Sequence, residues 1–135
     1  MNQQATQLIE RYYAAFNAND MTTFLSLLDE AVVHDINQGQ REIGKEAFER
    51  FMDKMNRHYR EQLVDIVVMS NDDGTRASAE FVVLGEYLVT DEGLPPAHGQ
   101  KYRLPAGAFF EIKDSKIARV TNYYNLNDWC QQVGA

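Results

Sequence analysis

Nearly all the helix-period sequence in this chain lies before residue 60, and the remainder alternates as strands do almost to the end. Over residues 4–18 the apolar side chains Leu8, Ile9, Tyr12, Tyr13 and Phe16 recur at three- and four-residue steps, which predicts one helix with a single core-facing stripe. Asn17-Ala18-Asn19-Asp20 interrupts that period, and Asp20 is placed to cap a second short helix over 21–28. Residues 31–36 form a β-branched, apolar run ending in Asp35-Ile36, with a turn at Asn37-Gln38-Gly39-Gln40. Residues 44–59 again have helical spacing, with Ala47, Phe48, Phe51, Met52, Met55 and Tyr59 on one side and charges on the other.

Beyond this helix, strands are expected over 63–69 and 75–89, joined by the turn Asn71-Asp72-Asp73-Gly74. A breaker-rich loop over 90–98 leads to strands over 99–112 and 116–125, followed by a helical turn through Trp129. Helices grouped first and long antiparallel strands grouped after predict an α+β fold: a strongly curved, mainly antiparallel sheet wrapped on three N-terminal helices to form a cone. Gly85, Gly99 and Gly107 are candidates for bending the strands, and Pro105 suits an edge or bulge. At 135 residues the chain is read as one domain, 1–135, large enough to bury a core and keep a pocket.

Twenty acids against thirteen Lys and Arg give a net charge of −7, which repels phosphate backbones and anionic lipid surfaces. Neither nucleic acid nor a membrane is therefore an expected partner. No apolar run approaches a membrane span, and Met1-Asn2-Gln3-Gln4 lacks a basic start followed by an apolar stretch, so the chain is not expected to be exported. The single Cys130 has no disulfide partner, which makes a reducing cytoplasm the default setting. His34, His58 and His98 are scattered without carboxylates at ligand spacing, so no metal site is expected. No Gly-rich phosphate loop is present, and no cofactor is called for.

Arg11-Tyr12, His34-Asp35 through Gly39, and Gly44-Lys45-Glu46-Ala47-Phe48 carry a likeness that spans nearly the whole chain. So do the later segments 109–117 and 120–124. The chain resembles the ketosteroid isomerase and SnoaL-like branch of the nuclear-transport-factor-2-like superfamily, and within it a group described as steroid isomerase-related. The resemblance implies that Asp35 takes a proton from carbon next to a carbonyl, and that Tyr12 hydrogen-bonds the resulting enolate oxygen. The isomerases add a second, protonated aspartate to that oxyanion site; Ala108 stands at the matching position here.

Asp35 is thus the candidate base, and apolar neighbours such as Val33 and Phe51 would raise its pKa. Alternation then turns His34 outward. The expected ligand is a small apolar organic compound in contact with Phe16, Phe51, Met55, Tyr102, Phe110 and Tyr124, while Arg103 and Glu111 face out. Glu80 and Glu86 share the outer face with Val82 and Leu84, a mixed surface suited to a homodimer. Three functions fit: a cofactor-free isomerase or cyclase; a non-catalytic binding or interaction module of the same fold; and a hydrolase or dehydratase using an Asp-His pair, which needs His34 inward. His98 is a candidate gate over the pocket.

Overall fold

The structure, a computed structural model, describes residues 1–37 and 39–134. The elements run α1 (Gln3–Asn17), α2 (Met21–Ser26), β1 (Leu28–Ile36), β2 (Gln40–Ile43), α3 (Lys45–His58), β3 (Tyr59–Ser70), β4 (Arg76–Tyr87), β5 (Gln100–Lys113), β6 (Lys116–Tyr124) and α4 (Leu126–Gly134). The six strands form one sheet in the order β2-β1-β6-β5-β4-β3. All neighbours are antiparallel except β1 and β6, which run parallel. This is the expected α+β architecture, a curved and unclosed sheet around N-terminal helices.

Local chemistry sets the helix starts. Asn2 caps α1 by accepting from the Ala5 amide at 3.0 Å, and Asp20 caps α2 by accepting from the Thr23 amide at 3.1 Å. Gly44, at φ 106°, turns the chain from β2 straight into α3, a conformation that a side chain would disfavour. Asp65, at φ 54°, coincides with the register break between Val64 and Val67 in the β3–β4 ladder, so a bulge helps bend the sheet. Pro105 lies where β5 has only β4 beside it, because pairing with β6 stops at Ala106. There α4 covers the open edge: the Gln132 side chain accepts from the Arg103 amide and donates to its carbonyl, both at 2.9 Å.

The structure corrects several boundaries. The four residues of β2 pair with β1 although they carry no alternating apolar face, because the ladder alone defines this exposed edge. β3 begins at Tyr59 rather than at residue 63, and α4 continues to Gly134 rather than stopping near Trp129. The turn expected over 37–40 includes Gln38, which is outside the described residues.

The core sits between α1, α2 and the concave face. Tyr12 stacks on Phe24 with centroids 4.5 Å apart and meets the edge of Phe110 at 5.6 Å. Among the described residues no helix is long and apolar enough to cross a membrane. Asn17 ties the end of α1 to the sheet, its amide oxygen accepting from the Leu63 N–H and its amide nitrogen donating to the Leu63 carbonyl, each at 2.9 Å. Asn17→Ala leaves that strand pair unpartnered on one side, and we expect it to lower stability by about 2 kcal/mol. A urea titration would register a lower midpoint with an unchanged m-value.

Candidate functional site

The concave face and helices α1 and α3 enclose a hollow of about 660 Å³, in the range that holds a small organic ligand. Most of its wall is apolar or aromatic, with Phe16, Phe51, Met52, Met55 and Leu104 among the lining residues. One end is built from rings. Tyr12 stacks on Phe24, Phe24 meets Phe48 at 5.7 Å, and His34 stacks on Phe48 at 4.1 Å with Phe51 edge-on at 4.7 Å.

His34 is the principal correction to the sequence reading, since it points inward and Asp35 outward. The parallel ladder pairs His34 with Val120 and Asp35 with Thr121, which puts His34 on the concave face beside the buried Val120. His34 is 2 % exposed and lines the hollow. Burial holds its imidazole down at about 4, with the neighbouring Asp35 charge opposing, so the ring is neutral at pH 7. Its Nδ1 has no hydrogen-bond partner among the described residues.

Asp35 sits on the convex face. The Arg41 guanidinium donates to it twice, Nε to Oδ1 at 2.6 Å and Nη2 to Oδ2 at 3.1 Å, and the Thr121 hydroxyl donates to Oδ2 at 2.6 Å. The hydrogen bonds from Arg41 lead in holding its carboxyl down to about 2; partial burial opposes them and Thr121 assists. That is the reverse of the raised pKa expected for an inward base. It also separates Asp35 from His34 across the sheet, so the two cannot activate one water between them.

Tyr12 lines the hollow as expected, and among the described residues nothing hydrogen-bonds its hydroxyl. Burial pushes its phenol well above the usual range, so it is a neutral donor. Phe16, Phe51, Met55 and Tyr124 also line the hollow. Tyr102 and Phe110 have the expected inward parity but do not line it. Phe110 is sealed beneath Tyr12 and Tyr13, and Tyr102 lies under Trp129. Arg103 and Glu111 face out as expected; Glu111 Oε2 accepts from Arg119 Nε at 2.7 Å. His98 is exposed in its loop and away from the hollow, which Asp91 and Leu94 of the same loop reach instead.

Three polar groups of the hollow escaped the sequence reading. Asn122 lines it and stands beside Ala108 in the β5–β6 register. Asp91 accepts from the Tyr59 hydroxyl at 2.8 Å and lies 3.4 Å from Lys54 Nζ. Glu61 lines it as well. Alternation back from Leu63 would have put Glu61 and Tyr59 on the inner face, but reading helix through residue 59 and strand only from 63 hid that signal. Among the described residues no group of three His, Cys, Asp or Glu side chains could hold a metal ion.

Residues 9–120 match the SnoaL-like domain family. The chain belongs to that family, within the nuclear-transport-factor-2-like superfamily. A search of curated proteins finds no match. Among solved structures, the chain is similar to a candidate polyketide cyclase from Pseudomonas putida, at 67% identity, 98% of each chain covered and a TM-score of 0.95. It is also similar to one from Xanthomonas campestris, at 58% identity, 97% of each chain covered and a TM-score of 0.94. A third, from Silicibacter, is 49% identical over 99% of this chain and 98% of that one, with a TM-score of 0.96.

The placement of Asp35 has a measurable consequence. Its folded pKa lies below the unfolded value, so the stabilisation is full above about pH 4 and is lost as pH falls toward about 2. Arg41 is 58% exposed, so solvent screening keeps the contribution of the pair small. We expect Asp35→Asn to lower stability slightly at pH 7, with the difference from wild type shrinking in denaturant titrations repeated at progressively lower pH.

Proposed function

We propose that this chain encloses a small, mostly apolar carbonyl compound and, without a cofactor, moves a proton on the carbon next to the carbonyl. That step is shared by isomerases and by cyclases that close a ring through an enolate. The observation that carries the reading is the neutral His34 imidazole lining an apolar hollow with the unengaged Tyr12 hydroxyl at the same ring-built end. A base whose conjugate acid sits at about 4 is unprotonated at neutral pH. It is about as basic as the isomerases' own aspartate, near 4.6. His34 takes the proton and returns it; Tyr12 donates to the enolate oxygen. Asn122, next to Ala108, offers an amide donor where the isomerases use a second acid. Descriptions of the solved relatives as candidate polyketide cyclases favour ring closure over steroid isomerisation.

The test is solvent deuterium exchange into the methyl group of para-acetylbiphenyl, followed by NMR. Wild-type protein is expected to speed exchange, and His34→Phe, which keeps the stack on Phe48, to abolish it. Tyr12→Phe should slow it about a hundredfold, the usual cost of a lost oxyanion donor. Exchange that survives His34→Phe overturns the assignment of the base.

A second reading is a binding module that holds its ligand unaltered. It is favoured by the absence of both isomerase carboxyl groups from this end of the hollow, with Asp35 outside and alanine at 108. Ketone that binds but never exchanges selects it.

A cytoplasmic homodimer completes the proposal. The outer sheet face exposes Phe109 and Tyr123, packed edge to face at 5.7 Å, together with Leu84, Val67 and Met69. Sedimentation is expected to give a dimer for wild type and a monomer for Phe109→Glu.

A further inference from the structure

The proton transfer at His34 and Tyr12 leaves a second polar end of the hollow unused. Glu61, Gly85 and Tyr102 stand side by side across β3, β4 and β5. The Tyr102 ring lies flat over Gly85, where an added Cβ would collide with ring Cζ. Only a residue without a side chain lets the phenol cross β4 and reach β3. Its hydroxyl donates to Glu61 Oε2 at 2.5 Å, and Trp129 covers the ring edge-on at 5.9 Å. Among the described residues no cation lies within ion-pair distance of Glu61, and no donor other than Tyr102 engages it.

Burial pushes the Glu61 carboxyl above its usual range, while the Tyr102 hydrogen bond opposes that shift. The other ionisable groups lining this end are Tyr59, hydrogen-bonded to Asp91, Lys54 on the same Asp91, Arg60 paired with Glu86, and Tyr124 on β6. Asp91 is held in its charged form. With both neighbouring cations engaged elsewhere, burial favours a neutral acid at Glu61.

This end is far from His34. The ladder joins His34 to Val120 and Val120 to Phe110, and Phe110 lies eight residues along β5 from Tyr102. That is about 26 Å of strand path, shortened across the hollow by the bend of the sheet and the reach of the side chains. The wall between the two ends is apolar, including Phe51, Met55 and Leu104.

We infer that the Glu61–Tyr102 pair is a second docking point that donates a hydrogen bond to a ligand oxygen, and that the ligand is an elongated apolar compound with a carbonyl function at each end. The inference rests on the reading of the hollow as a carbonyl site and names the class of compound that fills it. Tyr102 fixes the carboxyl; Glu61 supplies the proton of the hydrogen bond.

The experiment compares dissociation constants of para-acetylbiphenyl and para,para′-diacetylbiphenyl. Wild type is expected to bind the diketone about tenfold more tightly at the acid end of a pH series, the value of one good hydrogen bond. The preference should fade as pH rises through the Glu61 pKa, because a carboxylate cannot donate. Glu61→Leu removes the preference at every pH. Glu61→Gln keeps it at every pH, since an amide donates without titrating. Tyr102→Phe, which withdraws a bond that stabilises the carboxylate, moves the fade to higher pH. Equal binding of the two ketones by wild type, or a preference that survives Glu61→Leu, overturns the inference. If the monoketone still exchanges deuterium in that case, the inference falls alone; if neither ketone binds, the carbonyl reading falls with it.

Discussion

The parallel register between β1 and β6 decides what the hollow can do, because it fixes which of two adjacent polar residues faces inward. His34 lies in the row of Val120, and Asp35 in the row of Thr121. A slip by one residue would exchange them. An unpaired carboxylate in the ring-lined end would cost several kcal/mol of desolvation. A neutral imidazole costs far less, and it gains stacking on Phe48 while leaving Asp35 free to pair with Arg41 in partial solvent. The register thus sorts the two polar residues of β1: the charge-paired Asp35 on the convex face, the uncharged His34 in the ring-lined end.

That sorting shapes the chemistry. Burial in a low-dielectric wall favours the neutral form of a polar group, and that is the direction in which it pushes His34, Tyr12 and Glu61 alike. Neutral acids and bases set around an apolar interior can shuttle protons without a metal or an organic cofactor. In the proposed reading, the apolar span between the His34 end and the Glu61 end sets the length of the ligand. Gly85 matters to this in a way no bend explains: its missing side chain is the space through which Tyr102 reaches Glu61.

Much of the architecture was legible because helix and strand periods are segregated along the chain. The stripes of α1 and α3, the caps at Asp20 and the inward parity of Tyr102, Phe110 and Tyr124 all follow from spacing. The parity of β1 does not. Val32 and Val33 are both apolar and His34 and Asp35 both polar, so alternation reads equally well in either register, and only the partner strand decides. The Glu61 site was hidden for a related reason. Its inward position depends on β3 starting at Tyr59, and its partner Tyr102 is reached through a three-strand row that no local pattern announces. Asn122 gained meaning only once the ladder set it beside Ala108.

The most direct test of this account is a nitrogen NMR titration of the His34 imidazole in the folded protein. The ring is expected to stay neutral through pH 5.5 and to gain its proton only near pH 4, with Asp35 already charged over that range. Protonation of His34 near 6.5, the value of an imidazole in water, would place it in solvent rather than in the hollow and contradict the account.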